Sequence, residues 1–266
     1  MQLPSAVANR DSVAGRIVLL MAGGPLGTIM VNGLTQRLGP LTVIEEQPEA
    51  KRAIIRRRAR LLGWPTAVGQ IGLGLLLRAT AHRSRQRLST ICRDHGLDPT
   101  ARTGPAHHRV TSVNAPECHA LLRELAPKVV AVYGTRLLTP ATLAAVPAPV
   151  INYHAGITPM YRGQHPAYWA LTRADPDNAG VTIHLVDRGV DTGGVLHQAR
   201  TAFSADDTIA TYQHVQMATA LPLFARAIEE ALAGRLAPRP ATGPSANNFP
   251  PTLWRYLATG LRRGVW

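Results

Sequence analysis

Arg16–Gly27 reads RIVLLMAGGPLG, an uninterrupted apolar run that ends in a glycine- and proline-containing turn. Beyond the turn, Ile29, Val31, Leu34 and Leu38 recur at roughly helical spacing, and Leu41–Ile44 (LTVI) forms a second β-branched run closed by Glu45 and Glu46. Strand, glycine turn, helix and strand make a βαβ unit, whose strands lie parallel in a sheet covered on both faces. The expected fold class is α/β, doubly wound and mostly parallel.

Lys51–His95 breaks this alternation with helix formers, arginines, a loop around Gly63-Trp64-Pro65 and an uncharged stretch from Leu61 to Leu77. It reads as an inserted helical segment. Pro65, Thr66, Gln70 and four glycines weaken a membrane-spanning reading, which needs about 20 strongly apolar residues. A buried helix pair is the preferred expectation, ahead of an interfacial membrane contact. The alternation then resumes with a strand at 109–113, a helix at 116–125, a strand at 128–133, a helix at 139–146 capped by Thr139 with Pro140 behind it, and a strand at 150–154. A helix at 166–172, a strand at 180–186 and a long helix at 206–233 follow. This predicts one catalytic domain over 1–240, carrying the arginine-rich insert at about 48–95, and a C-terminal tail over 241–266 with a short helix at 252–260.

The formal charge of the 266 residues is +13, and nearly all of the positive charge is arginine, since lysine occurs only at Lys51 and Lys128. Distribution matters more than the total. Pro48–His95 holds eleven lysines and arginines against Glu49 and Asp94, a net +9, whereas Ile151–Arg200 is neutral. An acidic partner or an anionic membrane surface reached through the insert stays open beside a plain solvated face. Two cysteines, Cys92 and Cys118, cannot build a disulfide framework. Met1–Val18 places Asn9, Arg10, Asp11 and Arg16 ahead of the first apolar run, unlike a secretory signal, so a cytoplasmic location is expected.

Three polar residues sit where an α/β sheet presents side chains, near the carboxyl ends of strands. Asn152 and His154 are two apart in an extended segment and project from the same face. Asp191 lies in the glycine-rich loop Asp187–Gly194, just after the 180–186 strand, and converges on them if the two strands are neighbours. Singly, each has an ordinary reading: Asn-x-His is common, and Asp-Thr-Gly-Gly is good turn chemistry.

Together, Ile151–Gly163 (INYHAGITPMYRG), Gly180–His184 (GVTIH) and Val190–Gly194 (VDTGG) resemble the folate-dependent formyltransferases, the superfamily of the glycinamide ribonucleotide, methionyl-tRNA and amino-sugar enzymes. The resemblance runs from Arg16 to about Gly234. It implies a formyltransferase-type fold, 10-formyltetrahydrofolate as co-substrate, no metal, and a primary amine as acceptor. Asn152, His154 and Asp191 fall on the family's catalytic positions. By the same resemblance Thr135, Arg136, Leu137 and Leu138, with Val186, Asp187, Gly189 and Val190, line the folate pocket. Arg162 and Gly163 match a family turn in which Arg162 is either structural or acceptor-facing. Gly156 stands where the family often has serine, and Thr158-Pro159 where it often has Leu-Pro, so support for His154 is altered.

These residue types suit acyl transfer independently. An amine attacking a formyl carbon builds an oxyanion and releases a proton that must reach the leaving nitrogen. The Asn152 amide can donate to the oxyanion, His154 titrates near neutrality, and Asp191 stabilises its imidazolium form. For the acceptor, the Gly23-Gly24 turn at a helix start offers backbone N–H groups to an anion, and His165 follows the Arg162-Gly163 turn. The short tail argues against a tRNA acceptor and for an amino sugar or an amino-acid-derived amine, with no nucleic acid expected. A formyltetrahydrofolate hydrolase, a catalytically silent folate- or partner-binding module and a homo-oligomer remain open. His107 and His108 read as loop residues, and His184 as packed rather than catalytic.

Overall fold

A computed structural model describes residues 16–100 and 106–266. The reading of Met1–Val18 as lacking a signal falls mostly outside these residues. The chain opens with β1 (Ile17–Ala22), α1 (Pro25–Leu38) and β2 (Thr42–Glu46), followed by α2 (Lys51–Leu62), α3 (Trp64–Ala79) and α4 (Ala81–Asp94). Next come β3 (His107–Val110), α5 (Pro116–Leu125), β4 (Val129–Tyr133), α6 (Pro140–Ala145) and β5 (Val150–His154). The remainder holds β6 (Arg162–Gly163), α7 (Pro166–Thr172), β7 (Gly180–Leu185), β8 (Val195–Arg200), α8 (Tyr212–Leu232), β9 (Asn247–Asn248) and α9 (Leu253–Arg263).

Seven strands form one sheet in the order β3-β2-β1-β4-β5-β7-β8. The first five are parallel, and β7 and β8 are antiparallel additions at one edge. Alternate side chains of β1 and β4 enter opposite cores, as a sheet covered on both faces requires. Ile17, Leu19, Val129 and Ala131 pack with α1 and α8 through Ile29, Leu34, Leu221 and Phe224. Val18, Leu20, Val130 and Val132 pack with α5 through Cys118 and Leu122. A third apolar cluster, off the sheet, joins Leu73 of α3, Tyr168 and Trp169 of α7 and Tyr256 of α9. Cys92 and Cys118 are free thiols.

Several sequence expectations are corrected. The insert is three helices rather than a buried pair, and only α4 does the work of a crossover between β2 and β3, burying Ile91 in the main core. Arg87 of α4 clasps the fully buried carboxylate of Asp207 through two 2.9 Å bonds. That carboxylate also takes the Ser204 N–H at 2.8 Å and the Thr211 hydroxyl at 3.1 Å, which holds 204–208 in a turn and delays the long helix to Tyr212. His107 and His108 belong to strand β3, where His107 lies 3.0 Å from Glu45, and that strand ends at Val110 rather than 113. Among the described residues no helix is long and apolar enough to cross a membrane.

Candidate active site

β5 and β7 are hydrogen-bonded neighbours, with Asn152 opposite His184 and His154 opposite Thr182. Directly opposed residues share a face, so Asn152, His154 and His184 project together. Asp191 arrives from the loop between β7 and β8. Its Oδ2 lies 3.3 Å from His154 Nδ1, and its Oδ1 lies 3.6 Å from His184 Nε2. The condition set by the sequence, that the two strands be adjacent, is met.

The loop is shaped for this delivery. Asp187 Oδ1 accepts from the Gly189 N–H at 2.9 Å and the Thr192 hydroxyl at 2.7 Å, and Asp191 itself takes a left-handed conformation with φ 51°. Gly163 donates its N–H to Asp191 Oδ2 at 3.0 Å. Gly163 has φ 83°, and a Cβ there would strike the Asn248 carbonyl of β9, so glycine is required. Of the two readings of Arg162, its contacts are those of the structural one: its guanidinium donates to the Val190 carbonyl at 2.8 Å and to Ser245 Oγ at 2.9 Å, tying the Asp191 loop to the C-terminal segment.

Both nitrogens of His154 are engaged. Nε2 lies 2.7 Å from the Tyr161 carbonyl, which can only accept, so Nε2 carries a proton and Nδ1 faces Asp191 and the cavity. Gly156 makes this contact possible. A Cβ there would collide with the Tyr161 carbonyl and would stand 2.7 Å from His154 Nε2, so this chain holds its histidine by a backbone oxygen in the space a serine side chain would need. His184 is the residue that sequence reasoning undervalued. It is buried, its Nδ1 donates to the Leu185 carbonyl at 2.7 Å, and its Nε2 therefore receives the Asn152 amide N–H at 3.1 Å. It fixes which way the Asn152 amide points. Its place opposite Asn152 was readable only from the register of β7.

Burial pushes the His154 imidazole below its ordinary range, with Asp191 and the Tyr161 carbonyl acting in the other direction. Burial also opposes ionisation of Asp191, but the His154 charge, the His184 contact and the Gly163 N–H outweigh it and bring the carboxyl down to about 2. Asp191 is thus anionic throughout the neutral range. Among the described residues no group of three or more His, Cys, Asp or Glu side chains is placed to hold a metal ion.

Two cavities meet at His154. One, of about 330 Å³, is lined by Asn152, His154 and Asp191 together with all eight residues assigned to the folate site, from Thr135 to Leu138 and from Val186 to Val190. Arg136 contributes to this wall, but its guanidinium is tied to Glu46 Oε2 and to the Thr111 and Gln47 carbonyls, closing the ends of β2 and β3. The other cavity, of about 700 Å³, is bounded by the Gly23-Gly24 turn, His165, Arg58 of α2, and Gln70, Leu73 and Leu77 of α3. His154, Tyr153, Gly134, Gly163 and Gln164 border both. Burial, then the nearby Arg58 charge, lowers His165 to about 4, so it is neutral. Arg58 is lowered from its usual value by burial and by Arg57, and its guanidinium donates to Gln164 at 3.1 Å. Arg58 and the α3 residues escaped the sequence reading because the insert looked separate from the site.

Comparison with known proteins agrees with this architecture. A family described as Formyl transferase matches residues 93–227. The methionyl-tRNA formyltransferase of Burkholderia thailandensis is 33% identical over 207 residues, covering 73% of this chain and 60% of that protein, so the chain spans less than two thirds of this relative's length. Among solved structures, glycinamide ribonucleotide transformylase 1 from Symbiobacterium toebii superposes with a TM-score of 0.55 at 19% identity, over 85% of this chain and 92% of that one. A sugar N-formyltransferase from Shewanella sp FDAARGOS_354 gives 0.54 at 15% identity, over 87% and 76%. With the sheet order, the paired β5 and β7 and the matched segment in agreement, the chain belongs to the formyl transferase family.

Proposed function

We propose that the protein is a folate-dependent N-formyltransferase that moves the formyl group of 10-formyltetrahydrofolate to a primary amine of a small acceptor, an amino sugar or an amino-acid-derived amine, in the cytoplasm. The observation that carries this reading is the meeting of two cavities at His154, with Asn152 and Asp191 lining the smaller one beside it: a transferase must hold two substrates at one reacting carbon, and this chain has two adjoining chambers that share His154. The smaller chamber suits a flat heterocycle, since Val132, Leu137, Leu138 and Val186 supply apolar walls and the loop backbones supply polar edges.

The amine nitrogen attacks the formyl carbon, forming the new C–N bond and an oxyanion. Asn152 offers that oxygen its second amide hydrogen, the first being held by His184. Nδ1 of His154 is the nitrogen that can exchange a proton at the junction, because Nε2 is engaged by Tyr161. Asp191 stabilises the imidazolium as it forms. Collapse breaks the bond to the folate nitrogen, which receives the proton lost by the amine, so no acyl-enzyme is needed.

A second reading has support of its own: the relative above is by name a methionyl-tRNA formyltransferase, and its similarity favours an aminoacyl-tRNA as the acceptor. Release of tetrahydrofolate, followed by absorbance with amino sugars, nucleotide-linked amino sugars, amino acids and charged initiator tRNA as separate acceptors, distinguishes the two. Turnover with a small amine supports the first, turnover with charged tRNA alone the second, and release without acceptor a hydrolase.

A further inference from the structure

α3 is apolar on both sides. Ala67, Gln70 and Leu73 are buried, with Gln70 and Leu73 walling the 700 Å³ cavity. The other side carries Trp64, Val68, Ile71 and Leu75, at spacings of three and four residues that set them in one stripe, and Leu61 near the end of α2 is exposed as well. Their exposures are 61%, 56%, 38%, 63% and 66%. A helix apolar all round is normally buried, and a contiguous apolar patch on a surface marks an interaction site.

The charge beside the stripe identifies what it meets. On α2, Lys51, Arg52, Arg56, Arg57 and Arg60 are all exposed, and among the described residues Arg57 alone of these has a carboxylate partner, Glu49. Asp94, the only other acid from Pro48 to His95, stands at the far end of α4 against Arg93. A second copy of this face would bring two clusters of like charge together. An anionic bilayer complements both features, because exposed leucine, valine, isoleucine and tryptophan can enter the headgroup boundary while arginines beside them meet lipid phosphates.

We propose that the α2–α3 face docks on an anionic lipid surface, with α3 lying in the plane of the interface. The proposal is independent of the reaction assigned above. It places the larger cavity about one helix diameter, roughly 10 Å, from the lipid.

The test is flotation of the full 266-residue chain with unilamellar vesicles, either phosphatidylglycerol mixed with phosphatidylcholine or phosphatidylcholine alone. The wild type should float with the anionic vesicles and not with the neutral ones. Val68→Asp with Leu75→Asp, and separately Arg56→Glu with Arg60→Glu, should each lower the bound fraction at least about tenfold. All four positions lie outside the core, and thermal melts of the variants check that the fold is kept. Wild type that stays with neither vesicle overturns the proposal. So does undiminished flotation of the aspartate variant, which would mean that the arginines alone bind. A dimer on light scattering that the aspartate substitutions dissolve would assign the stripe to a second copy instead.

Discussion

The β5–β7 corner and the α2–α3 helices border the same cavity from opposite sides, yet their side chains find partners in different places. At the corner the polar groups are positioned by partners within the chain: His154 by Tyr161 and Asp191, Asn152 by His184, Asp191 by the Gly163 N–H. Along α2–α3, five large apolar side chains and six of the seven basic ones, all but Arg58, are exposed. A preorganised corner is what chemistry on a small substrate demands, since donors fixed in advance need no rearrangement as charge develops. The outward-facing helix pair is the feature that the proposed lipid surface would meet. The insert is divided as well, because α4 is bound inward by Arg87 and Ile91.

The comparison breaks most sharply at His154. His154→Ala is expected to lower kcat for formyl transfer about 1,000-fold, and Asp191→Asn about 100-fold, with flotation on vesicles unchanged. Steady-state kinetics on both variants check this. Gly156→Ser should push the Tyr161 carbonyl off His154 Nε2 and lower kcat by tens-fold while leaving the acceptor KM within about threefold. Equal losses in kcat and binding would instead indicate general distortion.

How far this contrast was legible depended on sequence span. Local signals sufficed for β1, α1 and β2, and for α5, α7 and β5, whose apolar runs and caps are complete within a few residues. Asn152 and His154 were found because strand alternation puts them on one face, and Asp191 because it shares a recognisable motif. β8 was missed because Val195–Arg200 is an edge strand whose outer half is polar, with His197, Gln198 and Arg200 masking the pattern. Arg58, Gln70 and Leu73 were missed because cavity walls supplied by an insert depend on where the insert docks, which no local periodicity encodes.

Acid should weaken the cavity side of the corner. His165 falls to about 4 in the folded chain, and His154 and His214 are lowered too, all chiefly by burial. A depressed histidine favours the neutral form, so its contribution is present above about pH 6.5 and is lost as pH falls through the folded value. Urea melts at pH 7.5 and 4.5 should show the wild type losing about 2 kcal/mol more than His165→Asn, asparagine being tolerated at the left-handed φ of 53°. Parallel losses would remove His165 from the account.

Smaller effects sharpen the border between the two regions. Arg58→Ala should raise the acceptor KM about tenfold with little change in kcat or folate affinity, because Arg58 faces only the larger cavity. Val68→Asp with Leu75→Asp should alter turnover of a soluble acceptor by less than about twofold, since neither residue reaches a cavity.

The most direct measurement is a single turnover with 10-formyltetrahydrofolate carrying a carbon label in its formyl group, with and without an amine acceptor, in wild type and His154→Ala. Label recovered on the amine, absent without acceptor and lost in His154→Ala while folate still binds, is the result expected if two substrates meet at His154. Label recovered as formate without any acceptor, or transfer that survives in His154→Ala, would contradict it.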